Sequence, residues 1–216
     1  MAPILKLGNC LDLIKEIPNN SIDLLVTDPP YCVGATSNGK SVTWADQNLI
    51  APFFEQYFCQ IKRVLKDGAN FYIFTDWRTY PLLYPMIITK MPIKNCIIWD
   101  KESIGSGHFY RFSHEFIIYG MKGEGYRKFE ANARDIWKFK RLSNGRKIKW
   151  HQTEKPIDLV KEMILNSSKE GDLVLDTFMG SGTTGVACLK ANRKFIGFEI
   201  DNDTFIKANE RIFVQV

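Results

Sequence analysis

The 216-residue sequence has no apolar run long enough to span a bilayer. It opens Met1-Ala2-Pro3-Ile4-Leu5-Lys6, without a charged-then-apolar leader, so no export is expected. Its five cysteines, Cys10, Cys32, Cys59, Cys96 and Cys188, never form a Cys-x-x-Cys pair. Scattered and odd in number, they argue against a disulfide framework and against a zinc site, and fit a reducing cytoplasm. No metal-ligand cluster, internal repeat or low-complexity tract is visible. What remains is an ordinary globular composition, 45% hydrophobic and 25% charged, with length for one sizeable α/β core.

The net charge of +5 is unevenly placed. Residues 101–150 hold 12 Lys or Arg against 5 Asp or Glu, and the remainder of the chain is slightly acidic. Within that segment Arg134, Lys138, Lys140, Arg141, Arg146, Lys147 and Lys149 face one acid, Asp135. A solvated surface loop has this composition, and so does a surface for a polyanion. With Arg111, these are the candidate nucleic-acid contacts.

Strand and helix patterns alternate. Short strands are expected at 4–7, 22–27, 70–75, 93–99, 116–119, 172–176 and 194–199. Helices are expected at 10–17, 49–66, 81–90, from Pro156, at 183–190 and at 202–213. In 49–66, Phe54, Phe58, Ile61 and Leu65 recur at helical spacing, and Gly68 reads as the stop that follows. Residues 32–47, rich in Gly, Ser, Thr and Asn, read as a mobile loop carrying Trp44. The basic segment to Trp150 shows no period. Such alternation implies a doubly wound, mainly parallel sheet covered on both faces.

Two motifs end strands. The strand 172–176 closes on Asp176 and runs into Thr177-Phe178-Met179-Gly180-Ser181-Gly182-Thr183-Thr184. Gly180 and Gly182 permit a tight turn and close approach of backbone to a ligand. The helix from Thr183 offers free N–H groups. Glu199, at the end of the next strand, is placed to accept hydrogen bonds from ribose hydroxyls. Gly180-Ser181-Gly182-Thr183-Thr184-Gly185 also satisfies the dinucleotide fingerprint, which specifies a nucleotide-like ligand and leaves its identity open. Asp176 discriminates: it would repel a pyrophosphate and attract the cationic amino-acid portion of S-adenosylmethionine.

The other motif is Asp28-Pro29-Pro30-Tyr31, where consecutive prolines end the strand 22–27. An exocyclic base amine is a poor nucleophile because its lone pair is delocalised into the ring. Acceptors that draw on its hydrogens rehybridise it. The Asp28 carboxylate and the Pro29 carbonyl supply two such acceptors, Pro30 stiffens the turn, and Tyr31 offers a face on which a flipped base stacks. A strand-ending turn with a packed tyrosine is the structural alternative. Cys32 lacks the Pro-Cys context of a cytosine-C5 nucleophile and reads as incidental.

Together these motifs resemble the amino-methylating DNA methyltransferases in the permuted, β-group order: the Asp-Pro-Pro-Tyr motif first, a recognition region next, the Phe-x-Gly-x-Gly loop last. Gly8-Asn9-Cys10-Leu11, Arg111-Phe112-Ser113-His114-Glu115 and His151-Gln152-Thr153-Glu154-Lys155-Pro156 resemble smaller segments of that family. The resemblance covers nearly the whole chain. It implies a single methyltransferase domain over 1–216, a seven-stranded sheet with one antiparallel strand, a short recognition insertion at 100–150, and no metal. It implies S-adenosylmethionine contacts from Asn9, Cys10, Asp28, His151, Lys155, Asp176, Phe178, Gly180, Ser181, Gly182, Thr183 and Glu199, with catalysis by Asp28, Pro29, Pro30 and Tyr31. His114 reads as a structural histidine. Asn9 departs from the family's frequent Asp, which implies altered contacts there. By family habit Asp at the head of the motif favours N6 of adenine over N4 of cytosine. The expected partner is DNA, with RNA and protein amides as other acceptors. A homodimer pooling two short recognition regions and a cognate restriction endonuclease are further expectations. An NAD-dependent oxidoreductase rests on the glycine fingerprint alone, and a non-catalytic DNA-binding protein leaves Asp28–Tyr31 without a purpose.

Overall fold

The computed structural model describes residues 2–31, 36–37, 40–41, 47–105, 109–125, 133–142 and 154–214, with backbone only at 36–37, 40–41 and 47–49. In chain order the elements are β1 (Ile4–Leu7), α1 (Cys10–Leu13) running into a 3₁₀ turn (Ile14–Glu16), β2 (Ile22–Thr27), the two-residue pair β3 (Thr36–Ser37) and β4 (Lys40–Ser41), α2 (Gln47–Val64), β5 (Leu65–Thr75), α3 (Tyr80–Ile88), β6 (Ile93–Asp100), β7 (His114–Met121), β8 (Ile136–Lys138), α4 (Ile157–Ser167), β9 (Leu173–Asp176), α5 (Thr183–Lys190), β10 (Lys194–Glu199) and α6 (Asn202–Phe213). No described helix is long and apolar enough to cross a membrane.

One sheet runs in the order β1-β10-β9-β2-β5-β7-β6-β8, while β3 and β4 pair separately. Every neighbouring pair in it is parallel except those made by β7, which is antiparallel to β5 and β6. The single antiparallel strand agrees with expectation, but the sheet has eight strands rather than seven. The extra strand is β8, in the basic segment that shows no period. It adds to the free edge of β6 through the register Ile98↔Ile136, Trp99↔Trp137 and Asp100↔Lys138. Three residues are too few to display a two-residue repeat, so only its pairing reveals it.

The sheet is buried on both faces because successive side chains of the central strands point opposite ways. From β2, Leu25 joins the core under α1, α2 and α3 with Phe54, Phe58, Ile61, Leu83 and Ile87. Its neighbours Leu24 and Val26 join the core under α4, α5 and α6 with Met163, Ile164, Val186 and Ile212. Helix α2 buries Ile50, Phe54, Tyr57, Phe58, Ile61 and Val64, a stripe at helical spacing. Gly68 does not stop that helix. It lies within β5 at φ +85°, and the sheet begins one residue after α2 ends.

The chain order places the site. After β2 the chain builds β5, β6, β7 and β8 on one side, then returns to build β9 and β10 on the other. The sheet therefore reverses direction of growth between β2 and β9, where parallel strands open a crevice at their carboxyl ends. Asp28 follows β2 and Asp176 ends β9 at that edge.

Candidate active site

Two cavities open along the carboxyl edge. One, of about 460 Å³, is walled by Asp28–Tyr31, by Trp77 and Arg78 after β5, and by Trp99, Phe112 and Glu115 from the β6–β7 region. The other, of about 490 Å³, lies over β9 and β10 and is walled by Asp176, Phe178, Gly180, Ser181, Thr183 and Glu199. Asp28, Pro30 and Lys155 line both. The turn carrying Asp28 is thus the partition between the cavities.

A chain of alternating charges runs through the partition. The Tyr31 hydroxyl donates to Asp28 Oδ1 at 2.7 Å and lies 3.2 Å from Glu115 Oε2. Lys155 Nζ donates to Asp28 Oδ2 at 2.8 Å and to Glu115 Oε2 at 2.9 Å. Lys101 Nζ completes the chain at 2.6 Å from Glu115 Oε1. The Lys155 ammonium stands 4.9 Å from the ring centroid of Phe74, 5.7 Å from that of Tyr31 and 5.9 Å from that of Trp99. Burial opposes ionisation of both partners, yet the paired charges prevail. Glu115 is held at about 2 by Lys155 and Lys101 despite its burial. Burial lowers Lys155, but Asp28 and Glu115 hold it above the ordinary lysine value. The Tyr31 hydroxyl is raised by burial and by the two carboxylates it faces, so it stays a donor.

In the second cavity Asp176 is buried. Its Oδ1 accepts from Thr27 Oγ1 at 3.1 Å and from the Phe178 N–H at 3.1 Å, and its Oδ2 accepts from Thr184 Oγ1 at 2.6 Å. Burial nevertheless pushes it up to about 7, because three neutral donors replace less than water did. Tyr57 braces this floor from α2, its hydroxyl 2.6 Å from Thr177 Oγ1. Gly180 and Gly182 adopt φ +49° and +76°, and Gly182 is the left-handed residue from which α5 starts. A Cβ on Gly180 would meet nothing closer than 4.0 Å, so this turn leaves open space in front of its backbone. Gly185 serves packing instead: a Cβ there would lie 2.6 Å from Ile212 Cδ1. Glu199 closes the far wall. Its carboxylate accepts from the N–H groups of Gly180, Ile200 and Asp201 at 3.0, 2.9 and 2.9 Å, which fixes it at the cavity rim.

The structure therefore brings together Asp28, Pro29, Pro30, Tyr31, Lys155, Asp176, Phe178, Gly180, Ser181, Thr183 and Glu199. Asn9 and Cys10 stand apart from both cavities. Asn9 caps α1, its Oδ1 accepting from the Leu11 N–H at 2.9 Å, and lines a separate depression against α2. Cys10 is buried in the core, where burial raises its thiol to about 12. Arg141 lines the first cavity, and Arg134, Lys138 and Lys140 are exposed on and around β8. Arg111 is engaged within its own loop, donating from Nε to the Gly105 carbonyl at 2.8 Å. Cys32, most of the 32–47 loop, Arg146, Lys147, Lys149 and His151 lie outside the described residues.

Sequence reasoning missed Lys101, Glu115 and Arg211 as members of the site. Glu115 carried a signal, a carboxylate at the start of a strand whose following residues are apolar. Arg211 carried none, because a basic residue near the end of an amphipathic helix is ordinary. Here it is buried: it donates to the Ser181 carbonyl and Oγ at 3.0 Å each, and to Glu154 Oε1 at 2.6 Å. It thereby ties the glycine turn to the segment that supplies Lys155. Among the described residues, no group of three or more His, Cys, Asp or Glu side chains is arranged to hold a metal ion.

Comparison with known proteins agrees with this geometry. A family model described as DNA methylase, named for N6 and N4 methylation, matches residues 22–210. The chain is 31% identical to the DNA adenine methyltransferase YhdJ of Escherichia coli K12, over 94% of this chain and 80% of that protein. It is 32% identical to the type II methyltransferase M.HpaI of Haemophilus parainfluenzae, over 95% of this chain and 72% of that protein. Among solved structures, a DNA modification methylase of Thermus thermophilus, TTHA0409, complexed with S-adenosyl-L-methionine, superposes with a TM-score of 0.78 at 22% identity, over 100% of this chain and 95% of that one. The cytosine-N4-specific PvuII DNA methyltransferase superposes with a TM-score of 0.80 at 19% identity, over 98% and 90%.

Proposed function

The chain belongs to the DNA methylase family, and from that premise we propose that it transfers a methyl group from S-adenosylmethionine to N6 of an adenine flipped out of DNA. The observation that carries this reading is the shared wall: a cavity for a planar acceptor and a cavity for the methyl donor meet at Asp28, Pro30 and Lys155.

The second cavity fits S-adenosylmethionine by its charge. Among its described lining residues, Asp28, Asp176, Glu199 and Asp201 are carboxylates, and Lys155, paired with Asp28, is the one cation. That lining suits a sulfonium and an ammonium and repels a pyrophosphate, which weighs against a dinucleotide despite the glycine fingerprint. Asp176, Phe178, Gly180, Ser181, Thr183 and Glu199 would hold the donor, with Asp28 at its reacting end. When bound, it supplies a methyl group already activated by its positive sulfur.

The rest is done by the chain's own residues. Trp77, Trp99, Phe112 and Tyr31 give the acceptor cavity aromatic walls for a base. Asp28 takes one hydrogen bond from the amine on a carboxylate already oriented by Tyr31 and Lys155, since each oxygen accepts more than one donor. The Pro29 carbonyl takes the second. Asp28 is placed to receive the proton that the amine loses as it gains carbon. Orientation across the partition supplies much of the acceleration. The exposed basic residues around β8 hold the DNA backbone. The place of action proposed is the cytoplasm. The relatives named as type II methyltransferases support a cognate restriction endonuclease as partner, and the shortness of the recognition segment supports a homodimer.

The test is transfer of labelled methyl from S-adenosylmethionine to mixed-sequence DNA, followed by digestion to nucleosides, chromatography and mapping of the modified sequence. Label is expected in N6-methyldeoxyadenosine, and Asp28→Ala is expected to abolish it while the donor still binds. Label in N4-methyldeoxycytidine would replace adenine by cytosine with the mechanism intact. An Asp28→Ala variant with wild-type turnover would remove Asp28 from the chemistry.

A further inference from the structure

The acceptor cavity holds a covered cation that the chemistry at Asp28 leaves without a task. Among the described residues that line it, Arg78, Lys101, His114, Arg141 and Lys155 can carry positive charge. Arg78, His114 and Arg141 are exposed to solvent. Lys155 lies in the partition, where Asp28 and Glu115 both accept from it. Lys101 differs from each of these. Its side chain is 14% exposed, and among the described residues the carboxylate it meets is that of Glu115, at 2.6 Å. An ammonium has three N–H donors, and Glu115 Oε1 engages one of them. Donors held away from water need partners, and the space that Lys101 lines is the acceptor cavity.

The side chain is fixed at both of its ends. Lys101 follows β6 directly, its N–H donating to the Ser113 carbonyl at 2.8 Å and its carbonyl accepting from the Arg141 N–H at 3.0 Å. The ammonium stands 5.3 Å from the ring centroid of Trp99. Trp99 is buried and held in turn, its Nε1 donating to the Phe139 carbonyl at 2.7 Å. Two charges of opposite hydrogen-bonding role therefore meet one cavity: the Asp28 carboxylate, which accepts, and the Lys101 ammonium, which donates. Lys155 and Glu115 join them in an unbroken chain of contacts, and that chain sets their spacing.

A base with an exocyclic amine presents the complementary pair. The amine donates, and a ring nitrogen beside it accepts. In adenine the amine is flanked by N1 and N7, and in cytosine by N3 and a C–H. Resting on the proposed function, we propose that Lys101 is a specificity-determining residue whose ammonium donates to a ring nitrogen flanking the amine of the flipped base, while Asp28 and the Pro29 carbonyl accept from the amine. Enzymes that flip a base read it by such edge contacts together with stacking. Aromatic walls hold a base by its faces and leave it free to turn in its own plane. A second contact on its edge removes that freedom and sets the amine toward the methyl donor.

The experiment uses the full chain and duplexes carrying the sequence the wild type methylates, with the target adenine intact or replaced by 1-deazaadenine or 7-deazaadenine. Each analogue keeps the amine and exchanges one flanking nitrogen for C–H. Single-turnover methylation is measured for the wild type and for Lys101→Met. The variant is expected to be roughly tenfold or more slower than the wild type on adenine, and to match the wild type on the analogue that already lacks the contacted nitrogen. A match on 7-deazaadenine makes Lys101 a discriminator against cytosine, which has no nitrogen on that side of its amine. A match on 1-deazaadenine assigns Lys101 to the edge that adenine and cytosine share. The same fold loss on all three substrates would overturn the inference and leave Lys101 a partner of Glu115 alone, and so would an unchanged rate on adenine. Lys101→Gln keeps an N–H donor without the charge. It is expected to show the same dependence on substrate with a smaller loss, and it decides the matter if Lys101→Met does not fold. Absence of transfer to adenine by the wild type would instead strike the proposed function, and the inference with it.

Discussion

Asp176 is a buried carboxylate and Glu115 a largely covered one, yet their surroundings drive them in opposite directions. Glu115 has two ammonium partners and is held at about 2. Its contribution to stability is complete above the ordinary glutamate range and is lost as pH falls through that range toward 2. Asp176 has neutral donors and is pushed up to about 7. The native state keeps a proton there that the unfolded chain releases, so stability falls as pH rises from the ordinary aspartate range through 7. At about 1.4 kcal/mol per unit, the protein without its methyl donor is expected to lose a few kcal/mol between pH 4 and pH 8 from this group. Asp176→Asn keeps the hydrogen-bonding shape and is expected to flatten that slope, raising the urea midpoint at pH 8 while weakening S-adenosylmethionine binding. A variant with the wild-type slope would show that another group titrates. Lys155 is the opposite case, a charge whose loss leaves two carboxylates facing each other. Lys155→Met is expected to cost about 3–5 kcal/mol in stability and to slow methyl transfer roughly a hundredfold by releasing Asp28 from its set position. Thermal melts and single-turnover rates measure the two separately, and a normal rate in a folded variant would leave Lys155 a structural residue only.

At the scale of elements, legibility followed burial. The strand 22–27, the helix 183–190, the strand 194–199 and the helix 202–213 have the bounds expected from the sequence, because each carries buried side chains between residues that end it. The glycine turn and Asp28–Tyr31 were legible for a different reason: Gly and Pro restrict the backbone wherever they stand. What escaped depends on partners distant in sequence. The start of β5 is an example. Gly68 looks like a helix stop, but its positive φ serves a backbone crossing against Gly125, whose Cβ would fall 1.7 Å from the Gly68 carbonyl oxygen. That approach joins residues more than fifty positions apart, and no local pattern announces it. Gly125→Ala is accordingly expected to destabilise the protein by about 2 kcal/mol or more, because backbone rather than a flexible side chain must yield. An unchanged melting temperature would mean that the β5 entry relaxes freely. The Lys101–Glu115–Lys155–Asp28 chain and the Arg211 brace escaped for the same reason: each draws on side chains from separate elements that meet only at the carboxyl edge.

At the scale of the molecule, charge and topology converge on one edge. The parallel strands end there, both cavities open there, and the extended ends of β6, β7 and β8 stand above it. The chain's positive excess is concentrated in the same region of sequence, at 101–150. The exposed side chains of Lys138, Lys140 and Arg141 continue from β8 along this edge, where the Arg141 N–H pairs with the Lys101 carbonyl at 3.0 Å. If they neutralise phosphates, DNA binding releases counterions in proportion to the contacts made. For duplex DNA the slope of log affinity against log salt should then fall in magnitude by about 0.9 for each contact removed. Replacing the three by glutamine is expected to flatten the slope by roughly 1 to 3 and to weaken binding at low salt more than at high salt. The maximal rate at saturating DNA should change little when Lys138 and Lys140 alone are replaced, since neither lines a cavity, whereas Arg141 walls the acceptor cavity. A triple variant with the wild-type salt slope would show that the basic edge is solvated surface, and that the DNA backbone is held elsewhere on the molecule.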